Sequence, residues 1–211
     1  MNKEQAEILK TELGLEFSPL VHDKLERWEK LFREFNSHTN LMSKGDVEKL
    51  FEKHVFDSLA LVKCPAFKPY EPLTTLDIGT GGGFPSVILA ICFENVHVTA
   101  ADSIVKKINF LNLIKKEFDL KNLVPIASRV EDLPPQNVDF ILSRATARLS
   151  KLVELSKKHM RPGTKLLLHK AKTAQEELLE LGNLGKRAKI FNYTLPLPEK
   201  HTRCLILIDK I

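Results

Sequence analysis

Short apolar runs alternate with helical patterns through the middle of this chain, and no other feature of the sequence limits its fold so strongly. Between residues 73 and 128 the order is LTTLDIG, PSVILAICF, NVHVTAAD, IVKKINFLNLIKKEF and NLVPIAS, which indicates β, α, β, α and β. The strand-like runs are rich in Val, Ile and Leu and lack polar alternation, which is typical of a parallel sheet covered by helices on both faces. We therefore predict an α/β fold of the doubly wound, Rossmann-like kind.

Four later runs extend this sheet. DFILSRA (139–145) and TKLLLHK (164–170) continue it, and AKIFNYTL (188–195) and TRCLILIDK (202–210) follow as a close pair. Only PLPEKH separates the members of that pair, which is too short for a helical crossover but suits a hairpin. The sequence thus predicts seven strands, mostly parallel, with an antiparallel hairpin at the end.

The first 64 residues have a helical pattern instead. One stripe of apolar side chains recurs at helical spacings: Val21, Leu25, Trp28, Leu31, Phe32 and Phe35. After a break at SKGD (43–46), a second helix is predicted to carry Leu50, Phe51, Val55 and Leu59. Three prolines in CPAFKPYEP then interrupt regular structure. We expect a helical extension (1–64), a connector (65–72) and a main domain (73–211).

The overall charge favours a polyanionic partner. The formal net charge is +5, and Lys and Arg gain affinity for nucleic acids by displacing counterions from phosphates. A basic surface that is merely solvated is an equally good explanation of the charge alone.

Composition also argues against several other classes of protein. The three cysteines form no CxxC pair and have no nearby histidine at ligand spacing, so neither a zinc site nor a disulfide framework is predicted. No apolar run is long enough to cross a membrane, and MNKEQAEILK lacks the basic start and apolar centre of a signal peptide. We expect a cytoplasmic protein without a metal.

A glycine-rich loop, DIGTGGGFPS (77–86), lies between the first predicted strand and the next helix. Gly79, Gly81 and Gly83 allow a tight turn and a close approach of the backbone to a ligand. The dinucleotide fingerprint GxGxxG would need a glycine at Phe84 or at Ser86, and no GK[ST] pair follows. This spacing argues against a diphosphate ligand, although an ordinary structural turn stays open as an alternative.

Asp102 ends the second predicted strand, 23 residues after Gly79. In this topology an acidic side chain at that point accepts hydrogen bonds from ribose hydroxyls. The same carboxylate could also stabilise the start of the next helix, and the two roles are compatible.

The pattern DxGxGxG resembles motif I of the class I methyltransferases, which bind S-adenosylmethionine. Further motifs resemble, in order, those of the glucose-inhibited division protein B family of 16S ribosomal RNA guanine-N7 methyltransferases: FNSHTNLMS, HVFDSL, DIGTGGGFP, DSIVKKINFL, SRVEDL and DFILSRATA. The resemblance covers nearly the whole chain. It implies S-adenosylmethionine as cofactor, 16S ribosomal RNA as partner and N7 of one guanine as the methyl acceptor.

The resemblance also assigns site residues. The positions it implies for the cofactor are Gly79, Phe84, Val130, Glu131 and Arg144, in addition to Gly81, Gly83 and Asp102 from the loop and the strand end. The positions it implies for RNA or the target base are Asn40, His54, Lys106, Arg129 and Lys170. Two positions differ from the family pattern, where glycine usually stands in place of Ser86 and Ala171.

The expected chemistry requires alignment rather than a catalytic base, because N7 of guanine carries an unprotonated lone pair. The rate should then be flat near neutral pH, with an acidic limb below neutrality if His54 titrates at its ordinary pKa near 6.5. Three alternatives remain open: an NAD-dependent oxidoreductase, a noncatalytic RNA-binding module, and a methyltransferase for protein or a small metabolite.

Overall fold

A single mixed sheet organises the protein. The computed structural model describes residues 1–144, 147–171 and 173–209. The strands are β1 (Leu73–Ile78), β2 (Val96–Asp102), β3 (Leu123–Ala127), β4 (Phe140–Arg144), β5 (Lys165–Lys170), β6 (Lys189–Leu195) and β7 (His201–Ile208). They lie in the order β3-β2-β1-β4-β5-β7-β6. The predicted Rossmann-like class and the seven strands are confirmed.

The strand directions also agree with the prediction. β3, β2, β1, β4 and β5 pair in parallel. β7 pairs antiparallel with both β5 and β6, so the last two strands form the expected hairpin. Residues 196–200 connect β6 to β7, and a connection this short allows only a hairpin.

Helices cover both faces of the sheet. The helices are α1 (Lys3–Leu13), α2 (Pro19–Thr39), α3 (Lys44–Glu48), α4 (Asp57–Leu59), α5 (Ser86–Cys92), α6 (Val105–Glu117), α7 (Leu149–Ser156), α8 (Ala174–Glu180) and α9 (Asn183–Lys186). Neighbouring strand residues alternate between two apolar clusters: Phe140 and Leu142 join the one containing α5 and α6, while Ile141 joins the one containing α7 and α8. This division explains why successive residues of β4 are apolar without alternation.

The N-terminal helices pack on the α5 and α6 side. Trp28 and Phe32 are fully buried there, and the Trp28 ring meets Phe84 edge-on with centroids 5.6 Å apart. α2 begins at the Ser18 cap and ends at Asn40, whose φ of 50° stops the helix. The predicted apolar stripe therefore belongs to the core. Residues 64–72, all of which the structure describes, contain neither helix nor strand.

The second predicted helix is less regular than its sequence pattern suggests. Residues 51–56 form a π-helical turn, α4 follows, and residues 60–63 form a 3₁₀ turn. All seven residues from Val55 to Leu61 are buried, so the segment is surrounded by other elements and does not present one apolar face. A π turn often marks a functional position, and this one lies beside the end of β4.

None of the described helices is both long and apolar enough to cross a bilayer. Among the described residues, no group of three or more histidine, cysteine, aspartate or glutamate side chains is arranged to hold a metal ion.

Candidate active site

The sheet order reverses between β1 and β4, and the loops that follow these strands meet at that point. Open α/β sheets bind ligands in the crevice at the carboxyl ends of the strands where the order reverses. The glycine-rich loop follows β1, and Arg144 ends β4. The predicted cofactor loop and the predicted arginine therefore lie at the edge where a ligand is expected.

The glycine-rich loop is held by its own backbone and by Asp102. The Gly79 amide donates to the Ala101 carbonyl at 2.9 Å, and the Gly81 amide donates to Oδ2 of Asp102 at 3.0 Å. Gly81 has a φ of 60°, and a Cβ atom there would find only the Gly79 oxygen, 3.9 Å away. The space next to Gly81 is open. The loop from Gly79 to Gly83, called the glycine cradle below, therefore fits a ligand that lies against the backbone.

Gly83 needs to be glycine for a different reason. Its φ is 95°, and a Cβ atom there would lie 2.5 Å from Cγ2 of Val87. The Gly83 position thus joins the loop closely to α5, whereas the Gly81 position faces open space.

Ser86, one of the two departures from the family pattern, is part of the loop's support. Its hydroxyl donates to Oδ2 of Asp77 at 2.6 Å, and both residues are fully buried. Burial raises the pKa of Asp77 to about 6, against the effect of this hydrogen bond. The serine therefore satisfies one oxygen of a carboxylate that lies directly beneath the cradle.

Asp102 has hydrogen-bond partners on both sides. Oδ2 also lies 3.3 Å from Nζ of Lys107, and Oδ1 accepts from the Ile104 amide at 2.9 Å. The Asp102 carboxylate thus connects the Gly81 loop to the start of α6. This agrees with the second role considered for Asp102, that of stabilising the start of the helix. The ribose contact stays a prediction.

Phe84, Val130 and Glu131 are placed differently from one another. The Phe84 side chain is buried against Trp28 and Phe32, so any contact that this residue makes with a cofactor involves its backbone. Val130 and Glu131 belong to a 3₁₀ turn after β3, with the Val130 side chain buried and Glu131 exposed. This turn lies at the same edge of the sheet as the cradle.

Arg144 lies between the cradle and residues 51–63, which comprise the π turn, α4 and the 3₁₀ turn and are called the helical segment below. Its Nη1 donates to the Lys53 carbonyl at 2.9 Å and to Oδ2 of Asp57 at 3.1 Å. Its guanidinium carbon lies 5.1 Å from the centre of the Phe84 ring. The side chain is only 15% exposed, so these contacts hold it in one place. Ala145 and Thr146 of the same motif lie outside the described residues.

His54 is neutral in this environment. Nη2 of Arg144 lies 2.6 Å from its Nδ1, and because a guanidinium only donates, Nδ1 accepts and the proton is on Nε2. Burial and the charge of Arg144 lower the pKa of His54 to about 3. The ordinary pKa that the expected acidic limb requires is therefore not the pKa of His54 in this environment, and we predict no limb from His54 just below neutrality. Nε2 has no hydrogen-bond partner among the described residues.

Asp57 is the centre of a buried polar network. The Tyr193 hydroxyl donates to its Oδ1 at 2.5 Å, and Nε2 of His169 donates to its backbone carbonyl at 2.8 Å. Burial raises the pKa of Asp57, but its neighbours His169 and Arg144 and the hydrogen bond from Tyr193 lower it by more. The Asp57 carboxylate is therefore ionised and pairs with Arg144.

A cavity of about 510 Å³ opens beside this network, within the size range of ligand sites. Five cationic side chains line it together with three carboxylates: Lys53, Arg144, Arg148, Lys170 and Arg203, with Asp46, Asp57 and Glu177. Lys53 pairs with Asp46, and Arg148 pairs with Glu180 on α8. Arg203 has neither a hydrogen-bond nor an ion-pair partner among the described residues. The cavity therefore carries an excess of positive charge.

Lys170 lines this cavity but is not a free cation. Its Nζ donates to Glu177 and to the Ala147 carbonyl, both at 2.7 Å, and its side chain is only 9% exposed. It thus ties the segment after β4 to α8. The assignment of Lys170 to RNA stays a prediction. In this structure the Lys170 ammonium is paired with Glu177 and does not point to solvent, where it would meet a phosphate. Lys172 lies outside the described residues.

The remaining residues assigned to RNA lie at two exposed places. Nζ of Lys106 donates to the Thr39 carbonyl at 3.0 Å, which brings it to the end of α2 beside the exposed Asn40. Arg129 is exposed just before the Val130 turn. Asn36, from the same asparagine motif, is buried and bonds both the amide and the carbonyl of Met42, so it supports the loop after α2.

Several side chains of the site were not predicted from the sequence: Asp46, Arg148, His169, Glu177, Tyr193 and Arg203. A signal was available for some of them. His169 follows the apolar run of β5 and Arg203 directly precedes that of β7, and a polar residue at the end of a buried strand run often marks a site. Tyr193 carried no such signal, because tyrosine is common in strands.

Comparisons with known proteins agree with this geometry. The family model of rRNA small subunit methyltransferase G matches residues 21–206. The chain belongs to this family. A ribosomal RNA small subunit methyltransferase G of Streptococcus pneumoniae serotype 4 is 35% identical, over 96% of this chain and 88% of that protein. One of Streptococcus pyogenes serotype M12 is 34% identical, over 93% and 86%.

Solved structures support the fold independently. A SAM-dependent methyltransferase from Aquifex aeolicus aligns with a TM-score of 0.55 and 21% identity, over 79% of this chain and 99% of that one. M. jannaschii TYW2, solved in complex with AdoMet, aligns with a TM-score of 0.56 and 15% identity, over 81% and 78%. At such identities the likeness shows the fold alone.

Proposed function

We propose that this protein transfers a methyl group from S-adenosylmethionine to N7 of a guanine in the 16S RNA of the small ribosomal subunit. The observation that supports this most directly is the junction at the end of β4. There Arg144 and His54 line the cationic cavity and contact the ring of Phe84, the residue that follows the open glycine cradle. Membership of the methyltransferase G family agrees with both halves of the site.

The cradle is the half that we assign to the cofactor. Gly81 leaves the backbone open to the methionine part, and Gly79 and Gly83 shape the loop around it. Oδ2 of Asp102 lies 3.0 Å from the Gly81 amide, and this carboxylate would also accept a ribose hydroxyl. Val130 and Glu131 would border the adenine. When bound, S-adenosylmethionine supplies an electrophilic methyl group on a sulfonium.

The cavity is the half that we assign to the target nucleotide. A base and its phosphates need both a pocket and compensating positive charge, and the cavity offers both. The side chains at the junction would exclude water and align N7 with the methyl group. The pKa of His54 is lowered to about 3 and that of Asp57 is lowered as well, so both groups are weak bases. Their acceptor atoms already take hydrogen bonds from Arg144 and Tyr193, and we assign neither residue the role of a base.

The RNA around the target would contact the exposed residues Asn40, Lys106 and Arg129, which lie outside the cavity. We propose the helical extension (1–64) as part of this RNA face, with the connector (65–72) leading to the methyltransferase domain (73–211). A small subunit or one of its assembly intermediates in the cytoplasm is the substrate that fits this proposal.

One experiment tests the proposal. The purified protein is incubated with labelled S-adenosylmethionine and with small subunits from cells that lack the modification, and the RNA is digested to nucleosides. We expect the label in 7-methylguanosine from 16S RNA. Label in another nucleoside, or in protein, would contradict the assignment, and tight binding of NAD in equilibrium dialysis would favour the oxidoreductase alternative.

A further inference from the structure

A tyrosine from the edge of the sheet reaches the centre of the site. Tyr193 lies on β6, the last strand in the sheet order, and is 7% exposed. Its hydroxyl donates to Oδ1 of Asp57 at 2.5 Å, although the two residues are 136 positions apart in the sequence. A buried tyrosine hydroxyl needs a partner, and here the partner is a carboxylate of the site.

The same carboxylate holds Arg144 through its other oxygen. Oδ2 of Asp57 lies 3.1 Å from Nη1 of Arg144, and the carboxylate is almost completely buried. With Oδ1 occupied by Tyr193, Oδ2 is the oxygen left for the guanidinium. The three side chains therefore form a chain of contacts from β6, through the helical segment, to the end of β4.

An arginine side chain is flexible, and its position has to be determined by its contacts. Three of those contacts come from the helical segment: the Lys53 carbonyl, His54 and Asp57. Asp57 is the only acidic partner of Arg144 among the described residues. The orientation of this one carboxylate thus determines the direction of the strongest attraction on the guanidinium.

We infer that Tyr193 and Asp57 are positioning residues, which hold the Arg144 guanidinium between the cofactor cradle and the nucleotide cavity in the orientation that methyl transfer requires. This inference rests on the proposed function, because it takes the junction at Arg144 as the place of transfer. Neither Tyr193 nor Asp57 needs to touch the substrate. Both act through Arg144.

The charge on Asp57 offers a measurement that a purely structural role would not affect. The titratable or charged groups around it come from each neighbouring element: His54, Arg144, His169, Tyr193 and Arg203. The Tyr193 hydrogen bond is one of the interactions that lower the pKa of Asp57. Removing the hydroxyl should raise that pKa, and a protonated Asp57 no longer forms the ion pair with Arg144.

The test is Tyr193→Phe, with Tyr70→Phe as the matched control. Tyr70 is 62% exposed and lies outside the site, so the control removes the same atom without touching the network. Single-turnover methyl transfer into small subunits is measured from pH 5 to 8.5 with saturating RNA and cofactor. We expect Tyr193→Phe to lower the rate about 10- to 100-fold, the range for a misplaced catalytic geometry. The protonation of Asp57 lies below this pH range in the wild type, and Tyr193→Phe should move the acidic limb that it causes to higher pH. Tyr70→Phe should match the wild type.

Combination with Arg144→Lys shows whether the effect depends on Arg144. In that background, Tyr193→Phe should cost little more, because the guanidinium that it orients is absent. Losses that simply multiply would overturn the inference, and so would a Tyr193→Phe rate and pH profile equal to those of the wild type. If the wild type itself forms no 7-methylguanosine, the proposed function fails instead.

A second measurement covers the case in which Tyr193→Phe does not fold, as judged by thermal melting. The Tyr70→Phe protein is produced with 3-fluorotyrosine, so that Tyr193 alone carries the label. The more acidic phenol donates more strongly, and the acidic limb caused by Asp57, followed for this purpose down to about pH 3, should move to lower pH. An unchanged limb would refute the positioning role.

Discussion

Replacing Gly83 by alanine should destabilise the whole protein, and the structure allows the cost to be divided into two parts. The first part is backbone strain, because φ is 95° at this position and an alanine there costs about 1 to 3 kcal/mol. The second part is a collision, because the new Cβ would lie 2.5 Å from Cγ2 of Val87. Overpacking of this kind costs about 1 to 3 kcal/mol more.

Gly163 separates the two parts. Its φ is 97°, almost the same as that of Gly83, but a Cβ atom there would have nothing within 4 Å. Gly163→Ala should therefore show the strain alone, and Gly83→Ala should show strain and collision together. The extra loss should be recovered in part by Gly83→Ala combined with Val87→Ala, although the valine truncation has a cost of its own.

The assay is equilibrium unfolding in urea for the wild type and the variants, followed by circular dichroism, with the slopes compared to verify two-state behaviour. We expect a free energy of unfolding lower by about 2 to 6 kcal/mol for Gly83→Ala, a large share of the total for a typical protein. Equal losses for Gly83→Ala and Gly163→Ala would show that the contact with Val87 is not tight, and the packing argument for this loop would then be wrong.

Three further predictions concern the site. Asp102→Ala should weaken S-adenosylmethionine binding by about 1 to 3 kcal/mol in calorimetry, and an unchanged affinity would remove this carboxylate from the cofactor site. Arg129→Ala should lower the salt dependence of RNA binding by about one unit of slope. Lys170→Ala should leave the slope unchanged and lower the free energy of unfolding by about 2 to 4 kcal/mol, because Glu177 would lose its cationic partner and keep the Leu149 amide and the Thr173 hydroxyl. His54 should contribute no limb to the single-turnover rate between about pH 5 and 8.5, because its pKa is lowered to about 3. A limb near pH 6.5 that disappears in His54→Gln would contradict the neutral histidine.

The sequence by itself determined the parts of this protein that depend on local periodicity and local backbone conformation. The number of strands, their parallel pairing and the final hairpin follow from apolar runs and from the lengths of the connections between them. The cradle was predictable as well, because Gly81 and Gly83 have positive φ angles that favour glycine whatever the rest of the fold does.

Burial and charge at the site were decided only by the tertiary structure. The sequence around His54 does not show that burial and the charge of Arg144 keep this histidine neutral. The sequence around Lys170 does not show that its ammonium is paired with Glu177. The π turn is a similar case, since it forms where its residues Phe51, Val55 and Phe56 are buried against other elements. Desolvation depends on which elements surround a residue, and a single sequence does not record them.

The network around Asp57 shows the same limit most clearly. Its partners Arg144 and Tyr193 are 87 and 136 residues away, on β4 and β6. Periodicity predicts that each strand exists, but the strand order places β6 at the edge and brings its tyrosine under the helical segment. The sequence therefore determines which elements form and where the glycine cradle lies, while long-range packing decides which side chains meet beside it and in which protonation state.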